Sequence, residues 1–363
     1  MKELDRDELK DLLHGCALMG TGGGGDVSTG MRYIDSALAA GKVFRLASAN
    51  ELGSDTMLCT PYALGATQAS QRGAEHQRLP RPTQAPIVTA MEKLAAHTGA
   101  KFDATVACEL GGENTAVAAY AAAMIDGVLL DADAAGRAVP EITHSTYYLA
   151  GLPASPLVLS NEFGETILCE QIFDDLRAED IARAFAMVSR DDIVAVDHAA
   201  NLSEMSNALY HGSLSMAAQL GCAMRTMRQE SEQDTSELAA MGSGKLLLQG
   251  VITACEARVE SGFTLGFVEV SGTDSYRGDT ARIEFKNENM TASINGELRV
   301  TIPDLICVLN TQSNEALTHP NAECGMKIAV LVLPAPPHFT SPAGLKAFGP
   351  AYLGLDQDFI PAV

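Results

Sequence analysis

The chain has 363 residues, 47% hydrophobic and 20% charged, which is enough apolar material for two domains, or three, and rules out a wholly disordered chain. Acidic residues outnumber Lys and Arg by 46 to 25, and the resulting formal charge of −21 repels phosphate backbones and anionic lipid surfaces. With no Trp and 5% aromatic residues there are few platforms for stacking bases, so general nucleic-acid binding is excluded.

In chain order, the opening residues Met1 to Glu8 alternate charge without an apolar core, unlike a signal peptide. Asp5 and Glu8 have the spacing of a capping box, and Leu9, Leu12, Leu13 and Cys16 follow on one helical face. That helix must stop at Gly20-Thr21-Gly22-Gly23-Gly24-Gly25. Asp26 then caps a second helix whose face is Val27, Met31, Ile34 and Leu38. Residues 43–46 and 57–64 read as strands, and the polar stretch 66–84 as a mobile loop. Helix 87–97 precedes strand 104–108, and the Ala-rich helix 115–125 precedes strand 128–130. The apolar run 116–125 is the longest in the chain and falls far short of the roughly 20 residues of a membrane span. A short helix after Pro140 leads to strand 156–159. This alternation predicts an α/β N-terminal domain with a largely parallel sheet. Segments 179–190 and 203–228 read as helical, and 229–237 as a solvated linker. From Lys245 onward, short strands alternate with Gly, Asn and Pro turns, which predicts a β-rich C-terminal domain. The division is placed at 168/169, within 165–175. Eight scattered cysteines without zinc-ribbon or C-x-x-C spacing suit buried thiols in a reducing cytoplasm.

Three segments can carry chemistry. The loop Gly22 to Gly25 can turn several N–H groups towards an anion or carbonyl, with the dipole of the next helix behind them. No Gly-Lys-Ser/Thr follows it, and it joins helix to helix, so neither a Walker loop nor a dinucleotide fingerprint fits. A plain interhelical turn would need one glycine. Cys108-Glu109-Leu110-Gly111-Gly112-Glu113-Asn114 ends a strand and starts a helix, where open α/β sheets bind ligands. There Glu109 can act as a base or remain a loop acid, Gly111 and Gly112 can admit a substrate, and Asn114 can orient it. Cys108 reads first as core packing.

Asp131 and Asp133 end the neighbouring strand and face one side, which suits a proton-transfer pair or a hard metal. Arg137 can clamp a substrate carboxylate in bidentate fashion. Glu141 and His144, three apart, can share a metal with the two aspartates, so a divalent metal stays open although no cofactor is required. Against this, such acids often only cap helices. His198, Glu204 and His211 have no spacing that demands a ligand. No Gly-x-Ser-x-Gly elbow is present.

Taken as an ordered set, these residues resemble the S-methyl-thiohydantoin desulfurase-like family, once labelled domain of unknown function 917. The resemblance spans nearly the whole chain. It rests on Gly20 to Asp26, on Glu109-Leu110-Gly111-Gly112-Glu113-Asn114, and on Asp131-Ala132-Asp133-Ala134-Ala135-Gly136-Arg137-Ala138-Val139-Pro140-Glu141. Gly262-Phe263-Thr264-Leu265-Gly266, Pro303-Asp304-Leu305-Ile306, Pro334-Ala335-Pro336-Pro337 and Phe348-Gly349-Pro350 extend it. The stretch 66–84 departs from the pattern expected of the family.

The resemblance implies two domains, α/β then β-rich, and kinship with proteins that act on five-membered imide rings, including hydantoinase and oxoprolinase modules. One branch is understood to remove sulfur from a thiohydantoin during ergothioneine breakdown. The expectation is therefore a cytoplasmic hydrolase of a cyclic imide or thioimide. Glu109 or Asp133, with Asp131 beside it, would activate water. Thr21 to Asp26, Gly111, Gly112, Asn114, Arg137 and Glu141 would hold the ring. In a covalent variant Cys108 is the nucleophile. The rival reading is a non-catalytic companion subunit of a hydantoinase- or oxoprolinase-type protein. A homo-oligomer is the default assembly.

Overall fold

The computed structural model describes residues 1–65, 79–189, 192–228, 235–260, 262–319 and 321–363. Most of the 66–84 loop and of the 229–237 linker therefore lies outside the described residues. After β1 (Lys2–Leu4), helix α1 (Arg6–Met19) starts on the expected box: the Asp5 carboxylate accepts the Asp7 and Glu8 amides while Glu8 accepts the Asp5 N–H. The glycine loop follows, and Asp26 caps α2 (Val27–Ala39) by accepting the Thr29 amide.

Next come β2 (Phe44–Ala47), β3 (Met57–Gly65), α3 (Pro86–Thr98), β4 (Ala104–Ala107), α4 (Asn114–Met124), β5 (Val128–Asp133), α5 (Thr146–Ala150), β6 (Leu157–Ser160) and β7 (Thr166–Cys169). Helix α6 (Asp175–Val188), β8 (Asp192–Asn201), α7 (Leu202–Met205), β9 (Tyr210–His211) and α8 (Ser213–Met227) complete the first layer. The sheet runs β1-β2-β5-β4-β3-β8-β6-β7, with β9 on β5. Strands β2, β5, β4 and β3 are parallel, and antiparallel strands flank them on both sides.

Helix α4 is rich in alanine because it is covered all round: Asn114 to Ala123 are buried without exception. The segment 203–228, expected to be helical throughout, is broken. It turns through β9 before α8, whose first turn is capped from outside by Asp131, which accepts the Ser215 amide and hydroxyl. Strand β8 lies between β3 and β6 although it follows residue 169, so the division at 168/169 separates two stretches of sequence but not two sheets.

The second layer holds α9 (Thr235–Met241), β10 (Lys245–Glu260), β11 (Phe263–Gly272), β12 (Thr280–Lys286), β13 (Glu288–Ile294), β14 (Glu297–Thr301), β15 (Leu305–Asn310), β16 (Glu315–Ala316), β17 (Lys327–Leu333) and α10 (Pro342–Phe348). Its eight strands pair antiparallel throughout in the order β14-β13-β12-β11-β10-β17-β15-β16. Apart from Asn310 and Lys327 at their ends, β15 and β17 are unbroken apolar runs because both their faces are buried. Ile306, Val308, Val330 and Val332 join the core of the second sheet, while Leu305, Cys307, Leu309, Leu331 and Leu333 join the helical core of the first layer. Among the described residues no helix is long and apolar enough to cross a membrane. All eight cysteines are free thiols.

Candidate active site

A cavity of about 580 Å³ opens beyond the carboxyl ends of β3 and β4, a size suited to a small organic ligand. Cys108, Glu109 and Asn114 come to it from the β4–α4 junction. Gly24, Gly25 and Asp26 form another wall, Glu141 a third, and the β12–β13 turn of the second layer closes it with Asn287 and Glu288.

Glu109 is fixed at both oxygens. Its Oε1 accepts from Asn114 Nδ2 at 2.6 Å and its Oε2 from the Val139 amide at 2.7 Å. Asn114 is held in turn by the Ala63 amide, so it orients the carboxylate rather than reaching past it. Burial pushes the Glu109 carboxyl up to about 7, and the two hydrogen bonds only partly oppose that push.

The glycines have separate tasks. A Cβ on Gly24 would lie 2.6 Å from Gly111 Cα, and one on Gly112 would lie 2.6 Å from the Val27 nitrogen. Gly111 and Gly112 thus admit the glycine loop, where the sequence suggested a substrate. Gly22 abuts His319 and Gly23 abuts Glu288, so this loop is also where the second layer docks. The Gly23 N–H is spent on the Gly20 carbonyl, whereas those of Gly24 and Gly25 have no acceptor among the described residues.

Other expected positions stand back from the cavity. Arg137, proposed as a substrate clamp, is wholly buried. Its guanidinium donates to the carbonyls of Ala138, Pro303, Asp304 and Asn289 and to Thr21 Oγ1, which occupies all five donors in fastening the two layers together. Thr21 belongs to the same junction, since its carbonyl accepts the Asn289 amide. Asp133 anchors its own turn by accepting the Ala135 and Gly136 amides, and Asp131 caps α8.

The four candidate metal ligands do not converge. Glu141 accepts from Lys286 and Tyr352, and the buried His144 packs against Phe348 and Tyr352. Among the described residues no three of His, Cys, Asp and Glu group as a metal site. Those residues do not fit a metal. Cys108 does line the cavity, but burial first, and then the charge of Glu109, hold its thiol well above the ordinary range.

The sequence reading set His198 aside, since its spacing demands no ligand, and passed over Asp197. Successive strand residues point to opposite faces, yet both of these line the cavity. The register between β3 and β8 slips here, so that Leu58 faces Ala200 while Thr60 faces Asp197. His198 takes up the slack with a left-handed φ of +47°. Its Nδ1 lies 2.6 Å from Asp197 Oδ1, its Nε2 donates to the Leu152 carbonyl, and Tyr62 donates to the other Asp197 oxygen. Burial alone would lower the imidazole pKa, but the Asp197 charge and hydrogen bond outweigh it, and the net shift is upward. Tyr147 stacks on the ring with centroids 4.0 Å apart.

One cavity thus gathers a buried carboxyl raised to about 7, backbone donors without an acceptor among the described residues, and an imidazole whose pKa is shifted upward. Family models for an S-Me-THD-like N-terminal domain and an S-Me-THD-like C-terminal domain match residues 7–171 and 173–362. The chain belongs to the S-Me-THD-like family. No curated protein matches the sequence. A crystal structure of a protein from Chromobacterium violaceum, a structural-genomics target, is similar over 100% of both chains, with a TM-score of 0.77 and 22% identity, a likeness of fold.

Proposed function

We propose that the protein is a hydrolase of a five-membered imide or thioimide ring of the hydantoin or thiohydantoin class, with Glu109 as the base that activates water. One observation carries the reading: Glu109 is a two-point-anchored carboxyl whose pKa is raised to about 7, on the wall of a cavity of ligand size. Family membership supports the ring class. Water activated by Glu109 attacks the carbon between the two ring nitrogens. Charge gathering on its oxygen or sulfur is met by the Gly24 and Gly25 amides. The protonated Cys108 thiol is a poor nucleophile, which favours water over a covalent step.

Glu109→Gln is expected to lower kcat by a factor of about 10² to 10⁴, and Cys108→Ala to keep turnover. Since the ionised base is the active form, kcat/KM should rise with pH through about 7. An active Glu109→Gln enzyme overturns the assignment. A wild-type chain inert to hydantoins, thiohydantoins and 5-oxoproline that co-purifies with a hydantoinase-type enzyme would favour the companion-subunit reading instead.

With Arg137 committed elsewhere, Arg32 is, among the described residues, a guanidinium open to a substrate carboxylate. It is exposed at the cavity, and its one hydrogen bond within the described protein goes to Thr29. Arg32→Ala should raise KM about five- to tenfold at unchanged kcat, read in steady-state kinetics at low salt.

A further inference from the structure

We propose that Glu288, reaching the cavity from the second layer, is the proton donor of the site and protonates the atom expelled from the attacked carbon. The proposal rests on the hydrolase reading and adds a second catalytic group to it. Geometry is the first ground. Strands β12 and β13 meet at Asn287, with Lys286 opposite Glu288, and this tight turn is pinned to β11 because Asn287 both donates to and accepts from the Thr264 backbone. Glu288 stands at its tip, 3% exposed and lining the cavity. Its Oε2 is buried without a hydrogen-bond partner among the described residues. Gly23 is glycine because an added Cβ would fall 1.9 Å from Glu288 Oε1.

Chemistry is the second ground. An unpaired carboxylate is costly to bury, whereas a carboxylic acid is not. Glu109 from the end of β4 adds a like charge. The cations that act on Glu288, Arg137 from the loop after β5 and Arg183 from α6, pull the other way, but their donors are given to carbonyls, to the Thr21 hydroxyl and to Glu179. Tyr352 of the C-terminal segment, whose hydroxyl donates to Glu141, is held as a neutral phenol by burial. Glu109 has a donor on each oxygen, which suits the charged form, whereas Glu288 Oε2 has no partner among the described residues, which suits the neutral acid; burial and the Glu109 charge push the Glu288 carboxyl up in the same direction, and two carboxyls so distinguished make an acid and base pair.

The step balances. Glu109 takes one proton from water as the water oxygen bonds to the ring carbon. The tetrahedral centre then breaks its bond to the ring nitrogen, or to sulfur in a thioimide. That atom keeps the electron pair and takes the Glu288 proton. The proton on Glu109 returns to Glu288, so water is divided into OH on carbon and H on the departing atom.

The test is Glu288→Gln in the full chain, with Gly23→Ala, which displaces the same carboxyl, as a second variant. For Glu288→Gln the expected results are a kcat lower by a factor of about 10² to 10⁴ and loss of the alkaline fall of the pH profile. Near-normal turnover should survive on an S-aryl thioimide, whose thiolate departs without a proton. The infrared difference spectrum of wild type minus Glu288→Gln at neutral pH should contain a protonated carboxyl C=O band. Wild-type kcat and alkaline limb in both variants, or absence of that band, overturns the proposal and leaves Glu109 as the base. A wild-type chain inert to every ring overturns the hydrolase reading and this proposal with it.

Discussion

Among single residues, His198 depends most directly on its neighbour. Its ring is buried, and the charge and hydrogen bond of Asp197 do most to raise its pKa against that burial. Replacing Asp197 by Asn removes the charge but leaves the burial. The His198 pKa should then fall below 6.5, as read from its ring-proton shifts in an NMR titration. The sign for stability follows. A histidine whose folded pKa is raised contributes its full stabilisation below its unfolded value, and that contribution fades as pH rises through the folded value. Wild type should therefore gain over Asp197→Asn on the acidic side, and the gap should narrow in the alkaline range. An unchanged titration in the variant would mean that the Leu152 carbonyl, and not Asp197, sets the protonation of this ring.

At the scale of elements, α1 and α8 cross with their backbones touching. A Cβ on Gly15 would lie 1.7 Å from the Ala217 carbonyl oxygen, and one on Gly221 would lie 1.7 Å from the Asp11 oxygen. Backbone cannot step aside as a side chain can. Gly15→Ala should cost about 3 kcal/mol or force the helices apart, measured by chemical denaturation. Elements of this kind were legible in the sequence. The capping box at Asp5, the Asp26 cap, the helix-to-helix glycine loop and the β-rich second half all follow from local chemistry and periodicity. Glu109 and the glycine loop were also legible as neighbours of one hollow, because strand ends in such sheets mark ligand sites. Asp197 and His198 were not, because the alternation rule sends consecutive residues to opposite faces and only the slipped register undoes it. Glu288 was hidden for a different reason: Asn287-Glu288 reads as a turn, and nothing local says what the turn leans on. Arg137 misled because a lone Arg beside acids looks the same whether its partners are a ligand or carbonyls, three of them more than a hundred residues away.

Across the whole molecule, the two matched family regions meet at 171 and 173, but the folded layers interlock. Strand β8 belongs to the second region and completes the first sheet, and β15 and β17 bury one face in each core. A fragment of residues 1–172 lacks the strand that joins β3 to β6, so it should stay unfolded or aggregate by circular dichroism and size-exclusion chromatography. Added residues 173–363 should rescue it. The intact chain should melt in one transition, since neither core is whole without the other. Two calorimetric peaks would contradict this.

Interlocking also gives the pocket a birth order. A ribosome delivers α1, the glycine loop and Glu109 early, but the strand bearing Asp197 and the hairpin bearing Glu288 emerge much later. Nascent chains carry Glu109 long before anything encloses it, so the cavity takes shape abruptly, late in translation. The same constraint bears on ancestry: swapping one half for that of a distant cousin would break a sheet in mid-weave, so lineages of this architecture should inherit both halves together rather than trade them as cassettes.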